Sequence, residues 1–368
     1  MKKRFILLNI TMGLFLLDCS KDSTSEPIEN PMDDPAMLEA YFPPIDSDEW
    51  ETISLDFLGW DSDAEQPLFN FLEERNTDAF LVLKNGRIVI EKYFGDFTQN
   101  DNHVWNSAGK NLTAMTTGIA QSEGFLSLDD VSADYLGAGW SNLTTEQEQN
   151  ITVWNHLTMT TGLDYTVDDF YCTDPECLTY KNAPGDFWYY HNAPYTLVTD
   201  IISNATGMDF KDYFANKIRN KIGMQGLWLK LGFNNNYFST ARSMARYGIL
   251  NLNEGMWDGE AILTDKNYFA EMTNTSQDLN QAYGYLYWLN GKENYRVPSL
   301  EVAFSGKLIP NAPEDLYAGL GANDQKMYVV PSEKLVIIRM GGDSGETFLG
   351  PSNFDNELWN LLNAILKR

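Results

Sequence analysis

A serine and a lysine stand three positions apart, at Ser107 and Lys110. Apolar residues follow at helical spacing, at Leu112, Met115 and Ile119, so the pair is predicted to open a helix. Because positions i and i+3 share a helix face, the Lys110 amine is within reach of the Ser107 hydroxyl. A serine becomes a nucleophile when a base takes its proton, and lysine is such a base when its pKa is lowered. The pair indicates acyl transfer through a covalent serine intermediate, with an ordinary surface serine and lysine as the alternative.

The composition is that of a large, acidic, globular chain. Its 368 residues are 43% hydrophobic and 13% aromatic, which is enough for one large domain or for two lobes that share a site. The formal net charge is -26, so the phosphates of a nucleic acid would repel the chain. Nucleic acid is therefore excluded as a partner. The acidity alone selects no particular substrate.

The N-terminus has the pattern of an export signal. Basic residues at positions 2–4 precede a mostly apolar run over 5–17, which is too short to span a bilayer. Cys19 resembles the cysteine of a bacterial lipobox, although Asp18 replaces the small residue usual before it. We expect residues 1–18 to be a signal peptide and Cys19 to attach the chain to a membrane through a lipid, with export without lipidation as the alternative. The expected location is the bacterial cell envelope, facing either the periplasm or the surface.

Two further cysteines, Cys172 and Cys177, lie close together around an Asp-Pro pair that favours a turn. In an oxidising envelope they are expected to form a small disulfide, and two free thiols are the alternative. A metal site is not expected, because no CxxC or HxxxH partner lies beside them. No cofactor is predicted.

Strand patterns lie near both ends of the chain, and helical patterns lie between them. The strand patterns are at 79–83, 88–93, 283–289, 326–330 and 334–340. The first two flank an Asn-Gly turn and predict a hairpin, and a final helix is predicted over about 353–366. This order predicts an α+β fold with two lobes. One lobe is an α/β sandwich whose antiparallel sheet is built from both chain ends. The other lobe is mostly helical and is inserted over about 107–275. A site would lie in the cleft between the lobes.

The domain boundaries follow from composition. Residues 20–48 are rich in Ser, Asp, Glu and Pro, so we expect 19–48 to comprise the anchor cysteine and a flexible tether. Residues 49–368 are expected to form a single two-lobed catalytic domain.

Several segments resemble one known superfamily. Ser107-Ala108-Gly109-Lys110 resembles the SxxK motif of the serine β-lactamases and penicillin-binding proteins, and Tyr190-His191-Asn192 resembles their Tyr-x-Asn element. Further segments at 151–163, 238–248 and 328–332 are similar to family segments in the same order, so the resemblance covers roughly 65–366. The chain is most similar to the β-lactamase-related, class C-like branch, which includes carboxylesterases, D-aminopeptidases and aminohexanoate-dimer hydrolases. The resemblance implies the β-lactamase/DD-peptidase-like fold.

The resemblance also implies catalytic roles. Ser107 would attack a carbonyl, Lys110 would take its proton or polarise the network, and Tyr190 would relay a proton to the leaving group. Asn192 would position these groups by hydrogen bonding. Family members are expected to have a lysine and a tyrosine that depress each other's pKa, so either Lys110 or Tyr190 could be the base.

The third family element is a strand that lines the site opposite the serine. The segment that resembles it covers residues 317–325, in which Gly319 and Gly321 would let the strand approach the substrate. The N–H of Ala322 would be a second oxyanion donor beside that of Ser107. The lysine or histidine of the family triplet is absent here, which removes a partner for a β-lactam carboxylate and disfavours antibiotic hydrolysis.

The long polar and aromatic loop over 164–185 is predicted to be a lid, with Tyr165 and Tyr171 over the site. Its acids would favour a cationic substrate, or they form a solvated loop edge. They are Asp164, Asp168, Asp169, Asp174 and Glu176. His191 is expected to point into the wall of the lobe.

The leading hypothesis is an envelope serine hydrolase that cleaves a small-molecule ester or amide, or a peptide-like substrate. One alternative is a penicillin-binding or cell-wall-peptide-sensing protein with slow turnover or none. Another is a catalytically silent scaffold, although such a protein would have no chemical need for all four catalytic residues. No obligate protein partner is predicted.

Overall fold

The computed structural model describes residues 34–345 and 350–368. The predicted signal peptide and the lipid-attachment residue Cys19 lie outside the described residues. The chain divides between Leu38 and Glu39, and the described part of the first unit is residues 34–38. In the first unit the structure describes a short 3-10 turn, Pro35–Met37. The elements below all belong to the second unit.

The strands are β1 (Thr77–Lys84), β2 (Arg87–Tyr93), β3 (His103–Val104), β4 (Leu227–Leu231), β5 (Asn234–Ser239), β6 (Met256–Trp257), β7 (Glu260–Ala261), β8 (Trp288–Leu289), β9 (Asn294–Tyr295), β10 (Phe304–Ser305), β11 (Tyr317–Gly321), β12 (Gln325–Val330) and β13 (Leu335–Gly341). The α-helices are α1 (Glu65–Glu74), α2 (Lys110–Ser122), α3 (Ala133–Leu136), α4 (Thr145–Glu148), α5 (Val153–Leu157), α6 (Asn192–Thr206), α7 (Phe210–Phe214), α8 (Ala241–Leu252), α9 (Lys266–Met272) and α10 (Asn353–Leu366). Within the described ranges, no helix is both long and apolar enough to cross a bilayer.

The main sheet joins the two ends of the chain. Its strand order is β2-β1-β13-β12-β11-β8, and every neighbouring pair is antiparallel. Asn85 and Gly86 connect β1 to β2 with φ angles of 49° and 87°, the left-handed pair that a tight hairpin requires. The predicted α+β fold is confirmed, and the final helix has the predicted bounds.

Alternate residues of the inner strands face two helical layers. Tyr328 on β12 contacts Trp359 on α10, with ring centroids 5.8 Å apart. Val336 on β13 faces the other way, and a Cβ at Gly248 of α8 would lie only 2.3 Å from its Cγ1. The strands are buried on both faces, which explains their almost continuous apolar sequence.

The inserted lobe is less uniformly helical than its sequence predicted. It contains α2 to α9, but β4 and β5 lie inside it and pair with β3 in a three-stranded sheet of order β3-β5-β4. On β4, Trp228 is buried, whereas Leu227, Leu229 and Leu231 are 45%, 40% and 54% exposed. Most of the apolar side chains of this strand therefore lie on its outer face and do not belong to the hydrophobic core.

The predicted tether over 19–48 requires correction at its C-terminal end. Residues 39–48 belong to the unit that carries the main sheet. The buried Arg246 guanidinium holds this arm by donating to the backbone oxygens of Pro43, Pro44 and Ser47 at 3.1, 2.7 and 3.2 Å. A polar, proline-rich segment can thus pack on a domain when its backbone carbonyls satisfy a buried cation.

Candidate active site

Ser107 lies in the short segment that connects β3 to α2. It sits in a 3-10 turn, Asn106–Gly109, and Lys110 is the first residue of α2, so the serine precedes the helix rather than falling in its first turn. Residues i and i+3 eclipse one another in a 3-10 turn, which brings the lysine directly below the serine. The turn is anchored by Trp105, which is fully buried and donates its indole N–H to Ser239 Oγ at 2.8 Å.

Lys110 connects the serine to the second predicted motif. Its Nζ lies 3.0 Å from Ser107 Oγ and donates to Asn192 Oδ1 at 2.8 Å. The side chain is buried, and among the described residues no carboxylate forms an ion pair with it. Burial lowers the pKa of Lys110 to about 7, because the charged ammonium is poorly solvated there.

Tyr190 is buried beside the same pair. Burial raises its pKa above the ordinary value, and a hydrogen bond with Ser107 opposes this only in part. Mutual depression of the two pKa values is therefore not what sets them, because burial lowers the pKa of Lys110 and raises that of Tyr190. Near neutral pH the phenol is therefore protonated, whereas the Lys110 amine is partly unprotonated.

Asn192 begins α6, which places its side chain toward Lys110. Sequence reasoning missed Tyr195, one turn further along this helix, whose ring centroid lies 4.2 Å from Lys110 Nζ. The Tyr190 ring lies 5.1 Å from the same nitrogen. Lys110 is therefore held between two aromatic faces, which attract its protonated form. The i, i+3 spacing of Asn192 and Tyr195 was the available signal.

The third predicted element does run against the serine turn. A Cβ at Gly319 would lie 2.1 Å from Asn111 Oδ1, and one at Gly321 would lie 2.4 Å from Trp105 O. Only glycine allows β11 to approach the turn so closely. Ala322 follows the strand, and its carbonyl accepts a hydrogen bond from Asn106 Nδ2 at 2.8 Å.

A cavity of about 150 Å³ opens above Ser107. The predicted residues Ser107, Tyr190, Asn192, Ala322, Tyr165 and Tyr171 all line it, whereas Gly319 and Gly321 support it from behind. Phe170 and Leu320, which belong to the predicted lid loop and the predicted third element, also line it. Sequence reasoning did not identify the remaining lining residues, which are Tyr189, Trp288, Pro298, Ser299, Gly350 and Pro351. In the described part of the chain, the cavity lining includes no lysine, arginine, histidine or carboxylate side chain.

The lid loop is fixed at several points. The Tyr165 ring stacks on Tyr189 at 3.5 Å, and its hydroxyl donates to Glu301 Oε1 at 2.5 Å. Cys172 and Cys177 are joined by a disulfide, with their Cα atoms 5.9 Å apart. This cross-link immediately follows Phe170 and Tyr171, so it restricts the part of the loop that borders the cavity.

The acids of the lid do not border the cavity. Asp164 pairs with Lys181 at 3.3 Å instead. The arrangement favours a solvated loop edge over attraction of a cationic substrate. His191 lies behind the cavity, next to a small separate space beside Tyr189, and burial lowers its pKa to about 4. His156 is a core residue whose Nδ1 lies 2.7 Å from the Pro194 carbonyl oxygen.

No group of three or more His, Cys, Asp or Glu side chains in residues 34–345 and 350–368 is arranged to hold a metal ion.

Sequence comparison identifies the class of protein that this fold and site define. The chain matches the beta-lactamase family over residues 69–354, well over half of its length, and therefore belongs to that family. The inferred penicillin-binding protein PbpX of Bacillus subtilis strain 168 is 27% identical over 180 residues. That alignment spans 44% of each chain, so less than half of this relative's length is matched.

Solved structures share the fold at lower sequence identity. An inferred 6-aminohexanoate-dimer hydrolase from Bacillus anthracis is 18% identical, with a TM-score of 0.64, and the match covers 91% of this chain and 89% of the other. An octameric penicillin-binding protein homologue from Pyrococcus abyssi is 18% identical, with a TM-score of 0.59 and coverage of 83% and 78%. These similarities show a common fold.

Proposed function

We propose that the chain is a serine hydrolase that cleaves a small, neutral ester or amide through an acyl-enzyme on Ser107. The observation that carries this proposal is the 3.0 Å contact between Lys110 Nζ and Ser107 Oγ, made by an amine with a pKa of about 7. Such an amine is partly unprotonated near neutral pH, which is the state that a general base requires.

The reaction follows from the positions of these groups. Ser107 Oγ bonds to the substrate carbonyl carbon while its proton passes to Lys110. The bond to the alcohol or amine then breaks, and the leaving group takes a proton from Lys110 through the Tyr190 hydroxyl. Water attacks the acyl-enzyme and gives a proton to Lys110, and the acid departs as Ser107 regains its hydrogen. The N–H groups of Ser107 and Ala322 are the proposed donors to the oxyanion.

The cavity supports a neutral substrate with an apolar acyl group. Its walls include Phe170, Trp288 and Leu320, and the described lining offers no cation to a substrate carboxylate. This feature argues against efficient hydrolysis of β-lactams, which carry a carboxylate. The hydrolase name of the Bacillus anthracis neighbour is consistent with amide cleavage.

The second candidate is a penicillin-binding or cell-wall-peptide-sensing protein that acylates and then turns over slowly or not at all. The name of the Bacillus subtilis relative favours this candidate. Both candidates use the same acylation step, so they differ in the lifetime of the acyl-enzyme.

The deciding experiment is intact-mass analysis after incubation with a fluorophosphonate probe and separately with a penicillin, alongside turnover of p-nitrophenyl acetate and butyrate. We expect a probe adduct on Ser107, ester turnover and no stable penicilloyl species. A long-lived penicilloyl adduct without turnover would support the penicillin-binding candidate. The absence of any adduct would refute both candidates and leave the scaffold hypothesis.

The pH dependence of kcat/KM tests the identity of the base. The reactive form has Lys110 unprotonated, so kcat/KM for p-nitrophenyl butyrate should rise about tenfold per pH unit below about pH 7 and level off above it. Tyr190, with its raised pKa, stays protonated over this range. A profile that is flat, or that falls as pH rises between about 5 and 9, would exclude Lys110 as the base.

We also propose that the enzyme is exported and held at the cell envelope by a lipid on Cys19. The basic start, the apolar run and the cysteine support this proposal. Labelling with radioactive palmitate should mark the unaltered chain and leave Cys19→Ser unlabelled. Equal labelling of both chains would contradict the assignment.

A further inference from the structure

A group of buried charges lies behind the strand end that borders the cavity. Lys326 on β12 is fully buried, and its Nζ lies 2.8 Å from Asp324 Oδ1 and 2.9 Å from the Asp355 carboxylate. The same nitrogen donates to the Gly350 carbonyl oxygen at 2.6 Å. Lys326, Asp324 and Asp355 are called the Lys326 cluster below.

Stability alone does not account for the Lys326 cluster. Charges are costly to remove from water, and replacing a buried ion pair by well-packed apolar residues is often neutral or stabilising. A buried cluster with this many hydrogen bonds does, however, fix the geometry of the backbone segments that it joins.

One of these segments is the strained turn after β11. Asn323 and Asp324 both adopt left-handed backbone angles, with φ of 57° and 56°, which are uncommon for residues other than glycine. The Asp324 carboxylate accepts hydrogen bonds from the hydroxyls of Ser344 and Ser352, the second at 2.6 Å. Despite its burial, Lys326 and these two hydroxyls hold the pKa of Asp324 below its ordinary value, so it remains ionised. The turn is therefore held by contacts on several sides.

Both segments held by the cluster reach the cavity. The strained turn begins at Ala322, which lines the cavity with Ser107. Gly350 also lines it, and packs so tightly that a Cβ there would lie 2.7 Å from Leu320 O. A change at Lys326 would therefore release two cavity walls together.

We propose that Lys326 and Asp324 are positioning residues, which hold Ala322 and Gly350 in register with Ser107 so that the oxyanion donor is correctly placed. This inference rests on the proposed function. It assigns a catalytic consequence to a charge cluster that does not itself touch the substrate.

The test compares Asp324→Asn and Lys326→Met with the unaltered chain. We measure kcat and KM for p-nitrophenyl butyrate below the Tm of each variant, and count active sites by fluorophosphonate mass shift. We expect kcat per labelled site to fall about tenfold to a hundredfold, with KM changed less than about threefold, because a misplaced oxyanion donor acts in the transition state. If Lys326→Met does not fold, Asp324→Asn alone decides the matter.

A variant that lacks all three charges of the Lys326 cluster separates positioning from folding. The triple variant Lys326→Met, Asp324→Asn, Asp355→Asn should recover Tm relative to Lys326→Met, because no carboxylate is left unpaired, yet kcat should remain low. Recovery of kcat together with Tm would overturn the proposal. Arg246→Met is the matched control, because it removes the contacts that hold the arm over 39–48, which does not line the cavity. This variant should lower Tm while leaving kcat unchanged.

The two proposals fail in different ways. If the unaltered chain shows no Ser107 adduct and no turnover, the proposed function fails. If the unaltered chain is active and the single variants keep its kcat, only the positioning role of the Lys326 cluster fails.

Discussion

Ser107→Ala is expected to remove the fluorophosphonate adduct completely and to lower kcat/KM for p-nitrophenyl butyrate by more than about 10⁴-fold. The alanine leaves no atom that can bond to the carbonyl carbon, so no acyl-enzyme can form. The remaining groups can still bind the ester and polarise it, which leaves a small residual rate. The Tm should change little, because the Ser107 hydroxyl is a minor part of the packing around the turn.

Ser299→Ala is the matched control, since Ser299 lines the same cavity but has no neighbouring base among the described contacts. This variant should keep the mass adduct and most of the turnover. An undiminished adduct on Ser107→Ala, or loss of the adduct from Ser299→Ala alone, would place the nucleophile elsewhere. Intact-mass analysis of both variants, followed by peptide mapping, makes the distinction.

Lys110→Met is expected to lower kcat/KM by about 10²- to 10⁴-fold, the usual contribution of a general base. Methionine preserves the apolar stem but cannot accept the Ser107 proton or donate to Asn192. The rise in activity through pH 7 should disappear as well, because the titrating amine is gone.

Lys84→Met provides a matched control for this substitution. Lys84 is another partly buried lysine whose pKa is lowered by burial, and it donates to the Glu333 carbonyl oxygen far from the cavity lining. This variant should retain both the rate and the pH profile. If Lys110→Met stays within about tenfold of the unaltered rate, another group must be the base.

The Ser107–Lys110 contact could be predicted because it is local. Two side chains three positions apart at a helix start can meet whatever the rest of the chain does. The hairpin and α10 could be predicted equally well, since an Asn-Gly turn defines the hairpin and a helical period defines α10. The close approach of β11 could be anticipated from its glycines, although the contacts that require glycine emerge only in three dimensions.

Other features depended on contacts between distant segments. Trp288 lies on β8, which joins the sheet beside β11, and the Gly350 carbonyl oxygen accepts a hydrogen bond from Lys326 on β12. The sequence of the arm over 39–48 predicts a tether. In the structure its backbone carbonyls bind Arg246, which lies about two hundred residues further along the chain. The raised pKa of Tyr190 likewise follows from burial, which a motif does not encode.

The burial of Lys110 also affects the stability of the fold. Its pKa of about 7 in the folded chain is well below the value of about 10.4 for an exposed lysine, so the unfolded chain binds more protons between these pH values. By linkage, the free energy of unfolding should rise with pH from about 7 to about 10, by as much as about 5 kcal/mol from this side chain alone. Below about pH 7 Lys110 is protonated in both the folded and the unfolded chain, so the full cost of burying its charge is subtracted from the free energy of unfolding. Lys110 is thus a local source of instability, and Lys110→Met, although expected to be much less active, should unfold at a higher temperature than the unaltered chain.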